Sequence, residues 1–122
     1  KVYGIKFSTY TCTYFIFGDC EPFIGCVEEL DKAFSWAEKY DLSILIDLHT
    51  VPGSQNGFDN GGISGVCKWA QQPESIKFAL SVLERLAQRY GKRKGLWGIQ
   101  ILNEPVTEKM WDHLMYKIDI SL

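Results

Sequence analysis

At 122 residues, with 46% hydrophobic and 23% charged residues and a formal net charge of −2, the chain is long enough for one domain with a real core. The charge gives no reason to expect nucleic acid or an anionic membrane as a partner. No apolar run approaches the roughly 20 residues of a membrane span. Lys1 opens a mixed stretch without the continuous apolar core of a signal peptide. Either a cytoplasmic or a secreted setting therefore stays open.

In chain order, Tyr14 to Phe17 is a short aromatic-aliphatic run expected to end a strand, and Gly18 to Pro22 is a loop. From Val27 to Tyr40 the spacing predicts a helix. Val27, Leu30, Phe34, Ala37 and Tyr40 fall on one face, and Glu28, Glu29, Lys32 and Lys39 lie mostly opposite. Ser43 to Leu48 reads as a buried strand. Thr50 to Gln72 is a long loop rich in glycine, asparagine and serine. Pro73 suits the first turn of a helix reaching Tyr90, with Phe78, Val82, Leu86 and Tyr90 aligned and Gly91 as its stop. Lys92, Arg93 and Lys94 then read as a solvated basic turn, and Leu96 to Asn103 as a last strand. The order β-α-β-α-β is the signature of a parallel sheet with crossover helices.

Cys12, Cys20, Cys26 and Cys67 contain no C-x-x-C pair and have no zinc-site spacing. Free, partly buried thiols are the expectation; a disulfide between Cys20 and Cys26 is possible, but nothing in the sequence supports it.

Apart from Ser43 and Gln100, both buried strands carry polar groups only at their last positions. One ends in Asp47 and His49, the other in Asn103 and Glu104 before Pro105. At the carboxyl ends of parallel strands such groups face the region where α/β folds place their active sites, which suggests one shared site. The long loop leaves from the same side. Connections in α/β units are usually about 2–6 residues, so a loop of this length is often functional. Its Gln55, Asn56, Phe58, Asp59, Asn60 and Trp69 suit a hydroxyl-rich ligand, although asparagine and glycine also serve turns and Trp69 could equally plug a gap. The stretch Gly57 to Gly65 matches neither G-x-G-x-x-G nor the P-loop pattern, so a nucleotide site is poorly supported. Asp47, His49, Asp59 and Glu104 are too scattered to argue for a metal.

The strings Leu45-Ile46-Asp47-Leu48-His49, Pro52-Gly53-Ser54-Gln55-Asn56-Gly57-Phe58-Asp59-Asn60 and Leu102-Asn103-Glu104-Pro105, in this order and spacing, resemble glycoside hydrolase family 5, in its exo-β-1,3-glucanase branch. Helix text such as Leu30-Asp31-Lys32-Ala33 and Leu86-Ala87-Gln88-Arg89-Tyr90-Gly91 fits the same family. The resemblance runs from about Tyr14 to about Trp111. It implies that the 122 residues are a single, partial catalytic domain: an α/β fold holding roughly the second to fourth strands of a (β/α)₈ TIM barrel. It implies a β-glucan substrate, retention of configuration, and neither cofactor nor metal.

By the same resemblance Glu104 is the acid/base. Asn103 bonds the sugar 2-hydroxyl, and His49 is a substrate-site residue whose neutral imidazole can donate to a hydroxyl. Asn56, Asp59 and Trp69 are further substrate-binding candidates. The family nucleophile, a glutamate at the end of the seventh strand, has no counterpart here; Glu108, Asp112 and Asp119 stand at no catalytic position. Thr9 stands where the family carries an arginine, and the family pattern fades from about Asp112 to Leu122. The alternative is therefore a non-catalytic remnant that binds carbohydrate or pairs with a complementary half barrel. Open strand edges favour self-association or such pairing.

Overall fold

The computed structural model describes residues 1–8 and 26–106. The runs from Tyr14 to Pro22, the cysteines Cys12 and Cys20, Thr9, and the tail with Glu108, Asp112 and Asp119 lie outside the described residues. Three strands form one parallel sheet in the order β1-β2-β3: β1 Val2–Ser8, β2 Ser43–Thr50 and β3 Leu96–Gln100. Helix α1, Cys26–Lys39, precedes β2, and helix α2, Pro73–Tyr90, joins β2 to β3. The β-α-β-α-β order is as expected, but the first strand described is Val2–Ser8, which the expected element order did not include.

One face of β2 carries the core. Ile44, Ile46 and Leu48 are buried and share a cluster with Leu30, Phe34 and Ala37 of α1 and with Ala79, Val82, Leu86 and Tyr90 of α2. Alternation sends Leu45, Asp47 and His49 to the opposite face. Register places Gly4 and Gly98 beside Leu45, and Gln100 beside Asp47. Trp97 falls at the irregularity between the two registers of β2 and β3 and is 66% exposed.

The helices are fastened to each other as well as to the sheet. The rings of Phe34 and Tyr90 stack with centroids 4.6 Å apart. Both residues are essentially inaccessible. The Tyr90 hydroxyl donates to Asp31 Oδ1 at 2.9 Å, and Arg89 grips both Asp31 oxygens. Arg93 makes the same two-point contact with Glu38, at 2.8 and 2.9 Å, and lies over the Phe34 ring. Arg93 is thus half-buried and paired, whereas Lys92 and Lys94 of the basic turn are exposed.

Tyr40 corrects the predicted helix face. The helix ends at Lys39, and Tyr40 is 64% exposed in the turn beyond it. Gly91 does close α2, but with ordinary right-handed backbone (φ −58°). What requires glycine there is space, since a Cβ would lie 2.5 Å from the Ala87 carbonyl oxygen. The expectation of free thiols fails at Cys26, which is disulfide-bonded, while Cys67 is free.

The Asp31 pair gives the domain an acid-sensitive joint. The hydrogen bond from Arg89 is the main cause holding the Asp31 carboxyl below its usual 3.8. A depressed acid pKa contributes stability that is complete above the unfolded value and is lost as pH falls through the folded one. Thermal unfolding should therefore show Asp31→Asn less stable than the native chain at neutral pH, with the gap closing below about pH 3.8. A gap that stayed constant with pH would contradict the pairing. On the alkaline side, burial and the neighbouring Asp31 push Tyr90 up to about 12. Its contribution is complete below pH 10 and fades as the pH approaches 12.

Candidate active site

The loop between β2 and α2 wraps the carboxyl ends of β2 and β3. Gln55, fully buried, donates from Nε2 to the His49 carbonyl at 2.8 Å. The Gln55 carbonyl in turn accepts the Val106 N–H at 3.0 Å and the Cys67 thiol at 3.5 Å. Gly53, with φ +85°, lets the chain fold back so closely that a Cβ would lie 2.9 Å from the Trp69 nitrogen. The Lys68 N–H donates to the Gly53 carbonyl at 2.7 Å. The loop is built largely on its own backbone and amides, with a short turn of helix at Asp59–Gly61 and another at Trp69–Gln71.

The last strand is shorter than expected. The ladder stops at Gln100, and residues 101–106 cross toward the loop instead. Two backbone bonds flank Glu104: the Asn103 N–H reaches the Leu48 carbonyl at 2.9 Å, and Val106 reaches Gln55. Between these points Glu104 adopts φ 45°, a left-handed conformation that costs a side-chain-bearing residue about 1–2 kcal/mol. Strained backbone of this kind persists only where its surroundings hold it, and such positions cluster at functional sites.

Glu104 is exposed, and its Oε2 accepts a hydrogen bond from Asn60 Nδ2 at 2.9 Å. Asn60 Oδ1 accepts from Asn56 Nδ2 at 2.8 Å, and Asn56 Oδ1 accepts from the Phe58 N–H at 3.0 Å. Asp59 is exposed, and its Oδ1 accepts the Asn60 N–H. Phe58, 55% exposed, stands beside this chain of bonds. At the end of β2, His49 Nδ1 lies 2.7 Å from Asp47 Oδ2, and both side chains are largely buried. The contact engages Nδ1 and leaves Nε2 as the other ring nitrogen.

Of the predicted residues, Glu104, Asn56 and Asp59 are thus drawn together through Asn60, which the sequence nominated only as one of several polar loop residues. His49 sits at the end of β2, and Asn103 lies three residues past the end of β3, tied by its N–H to Leu48. Trp69 does not join them. It is 6% exposed and belongs to the core cluster, so it plugs the loop against the core and presents no face to a ligand. Its indole Nε1 has no hydrogen-bond partner among the described residues.

Over 72% of its length the chain is 45% identical, across 92 residues, to the glucan 1,3-beta-glucosidase of Schwanniomyces occidentalis. It is 44% identical over 89 residues to the probable glucan 1,3-beta-glucosidase A of Emericella nidulans, and 38% identical over 109 residues to the glucan 1,3-beta-glucosidase of Pichia angusta. The chain spans only 21–25% of the length of these curated relatives. No family model matches it. Among solved structures, that of a rutinosidase from Aspergillus niger superposes with a TM-score of 0.67 over 89% of this chain and 32% of that one, at 22% identity. The structure of AoRut superposes with a TM-score of 0.70 at 23% identity, over 90% of this chain and 31% of that one. The fold is therefore that of part of a glycosidase structure, and the sequence is similar to glucan 1,3-beta-glucosidases over most of the chain.

Proposed function

We propose that this chain is part of the catalytic barrel of a glycoside hydrolase family 5-type enzyme that removes glucose from β-1,3-glucan with retention of configuration. The observation that carries this is the position of Glu104. It stands past the end of a parallel strand, clamped by two backbone bonds and held at 2.9 Å by a loop amide, in a chain 45% identical to a glucan 1,3-beta-glucosidase.

In the first step the Glu104 carboxyl gives its proton to the leaving oxygen as the glycosidic bond breaks. A carboxylate from a strand beyond these three attacks the anomeric carbon, about 5–5.5 Å from the acid/base group in retaining enzymes. In the second step Glu104 takes a proton from water, and the hydroxide equivalent displaces the enzyme carboxylate. Asn103 bonds the sugar 2-hydroxyl, and His49 Nε2, its ring oriented by Asp47, hydrogen-bonds a sugar hydroxyl. Asn56 and Asp59 shape the loop around the substrate, and the exposed face of Phe58 packs on sugar C–H groups. The strands that complete the barrel pair along the sides of β1 and β3 that no described strand occupies, near exposed Trp97 and Ile101.

The substrate half of this proposal is testable on the chain alone. Titrating a labelled chain with a β-1,3-glucan trisaccharide should move the NMR signals of His49, Phe58, Asn60 and Asn103, with weak affinity, and a nucleotide should move none of them. Sugar-induced shifts confined to the α1–α2 surface, or absent, would oppose it.

A further inference from the structure

The hydrogen bonds around Glu104 have a fixed direction. A backbone N–H can only donate, so the Phe58 contact makes the Asn56 atom it meets the carbonyl oxygen. The Asn56 NH₂ group must then face Asn60, and the Asn60 atom that receives it must be Oδ1. That turns the Asn60 NH₂ toward Glu104. The orientation of both amides is set from the buried end: Asn56 is 6% exposed. Gly61 leaves the room this arrangement needs, since a Cβ there would collide with Asn56 Oδ1 and with Ser54 Oγ.

From this geometry we infer that Asn56 and Asn60 are positioning residues that dictate which oxygen of Glu104 handles the proton. The inference rests on the proposal that Glu104 is the acid/base. Oε2 is occupied by a donor with no lone pair to spare for a carboxyl proton. A protonated Glu104 must therefore carry its proton on Oε1, and Oε1 is the atom that meets the leaving oxygen and later the water. The Asn60 contact also strengthens when Glu104 is ionised, because charge-assisted hydrogen bonds are roughly twice as strong as neutral ones. Asn56 acts only through Asn60, by keeping that amide from flipping.

The test is a pH titration followed at the Asn60 side-chain NH₂ signals of isotope-labelled chain. The Nδ2 proton should move downfield as the Glu104 carboxyl ionises, and Glu104→Gln should abolish that movement. Asn56→Asp is the decisive variant. It keeps an oxygen for the Phe58 N–H but presents a second oxygen to Asn60, so the Asn60 amide should flip and the Glu104-linked movement should vanish with Asn60 and Glu104 both unaltered. A purely structural role for Asn56 would leave the movement in place, and that result overturns the inference. So does a native chain whose Asn60 signals ignore Glu104 altogether, a comparison that needs no foldable Asn56 variant. Because no catalysis is read, either failure leaves the assignment of Glu104 as acid/base to be judged on activity.

Discussion

An aryl β-glucoside incubated with this chain alone is expected to survive, with turnover several orders of magnitude below that of a complete retaining enzyme. Retaining hydrolysis needs two carboxyl groups in fixed relation, and losing one member of such a unit removes nearly all of its effect. Among the described residues, the other carboxylates at this end of the sheet are already committed. Asp47 holds His49, and Asp59 accepts the Asn60 N–H. The proposed nucleophile belongs to a later strand of the barrel, and these residues supply three strands. The measurement is release of the aryl group, with Glu104→Gln as the control. Turnover that Glu104→Gln abolishes would mean that another carboxylate, supplied by a second copy of the chain, completes the pair.

The largest expected effect on stability is at Phe34. It is completely buried, stacks on Tyr90, and joins α1 to both α2 and β2. Phe34→Ala removes the stack and leaves a cavity that rigid neighbours on three sides cannot close, at a cost of about 3–5 kcal/mol. Since a domain of this size is stable by about 5–15 kcal/mol in total, the variant should be mostly unfolded at moderate urea. Tyr90→Phe keeps the stack and loses only the hydroxyl bond to Asp31, so it should cost about 1 kcal/mol. Equal losses in the two variants, read from urea unfolding, would mean that the hydroxyl network and not the ring packing holds the helices together.

The elements that were legible in the sequence are those whose signal is local. The continuous apolar run of β2 and the proline start and helical spacing of α2 depend on few neighbours, and both elements appear where expected. The strand Val2–Ser8 carries a local signal of its own, Tyr3, Ile5 and Phe7 alternating with Gly4, Lys6 and Ser8, which the expected element order passed over in favour of Tyr14 to Phe17. The last strand was drawn too long because Ile101 and Leu102 continue the apolar run, whereas the chain leaves the ladder to place Glu104. Composition could nominate Asn56, Asp59 and Asn60 together, but only the loop geometry shows that Asn60 is the one touching Glu104. Trp69 shows the converse limit. An aromatic residue in a glycine-rich loop looks the same in sequence whether it serves a ligand or, as here, the core. The disulfide at Cys26 likewise depends on which cysteines meet in space, and spacing alone left free thiols as the expectation.

The central claim is that Glu104 is the acid/base of a β-glucan hydrolase. It is tested most directly by transplanting the matched residues of this chain into the Schwanniomyces occidentalis glucan 1,3-beta-glucosidase, in place of the 92-residue segment they resemble, and comparing the chimaera with its Glu104→Gln variant on two substrates. A β-1,3-glucan oligosaccharide needs its leaving oxygen protonated, and a general acid contributes about 10²–10⁴-fold to such a step. Hydrolysis of the oligosaccharide should therefore fall by about that factor in Glu104→Gln. A dinitrophenyl β-glucoside, whose leaving group departs without a proton, should lose far less in the glycosylation step. An active chimaera whose Glu104→Gln variant cleaved the oligosaccharide as fast as its parent would contradict the assignment.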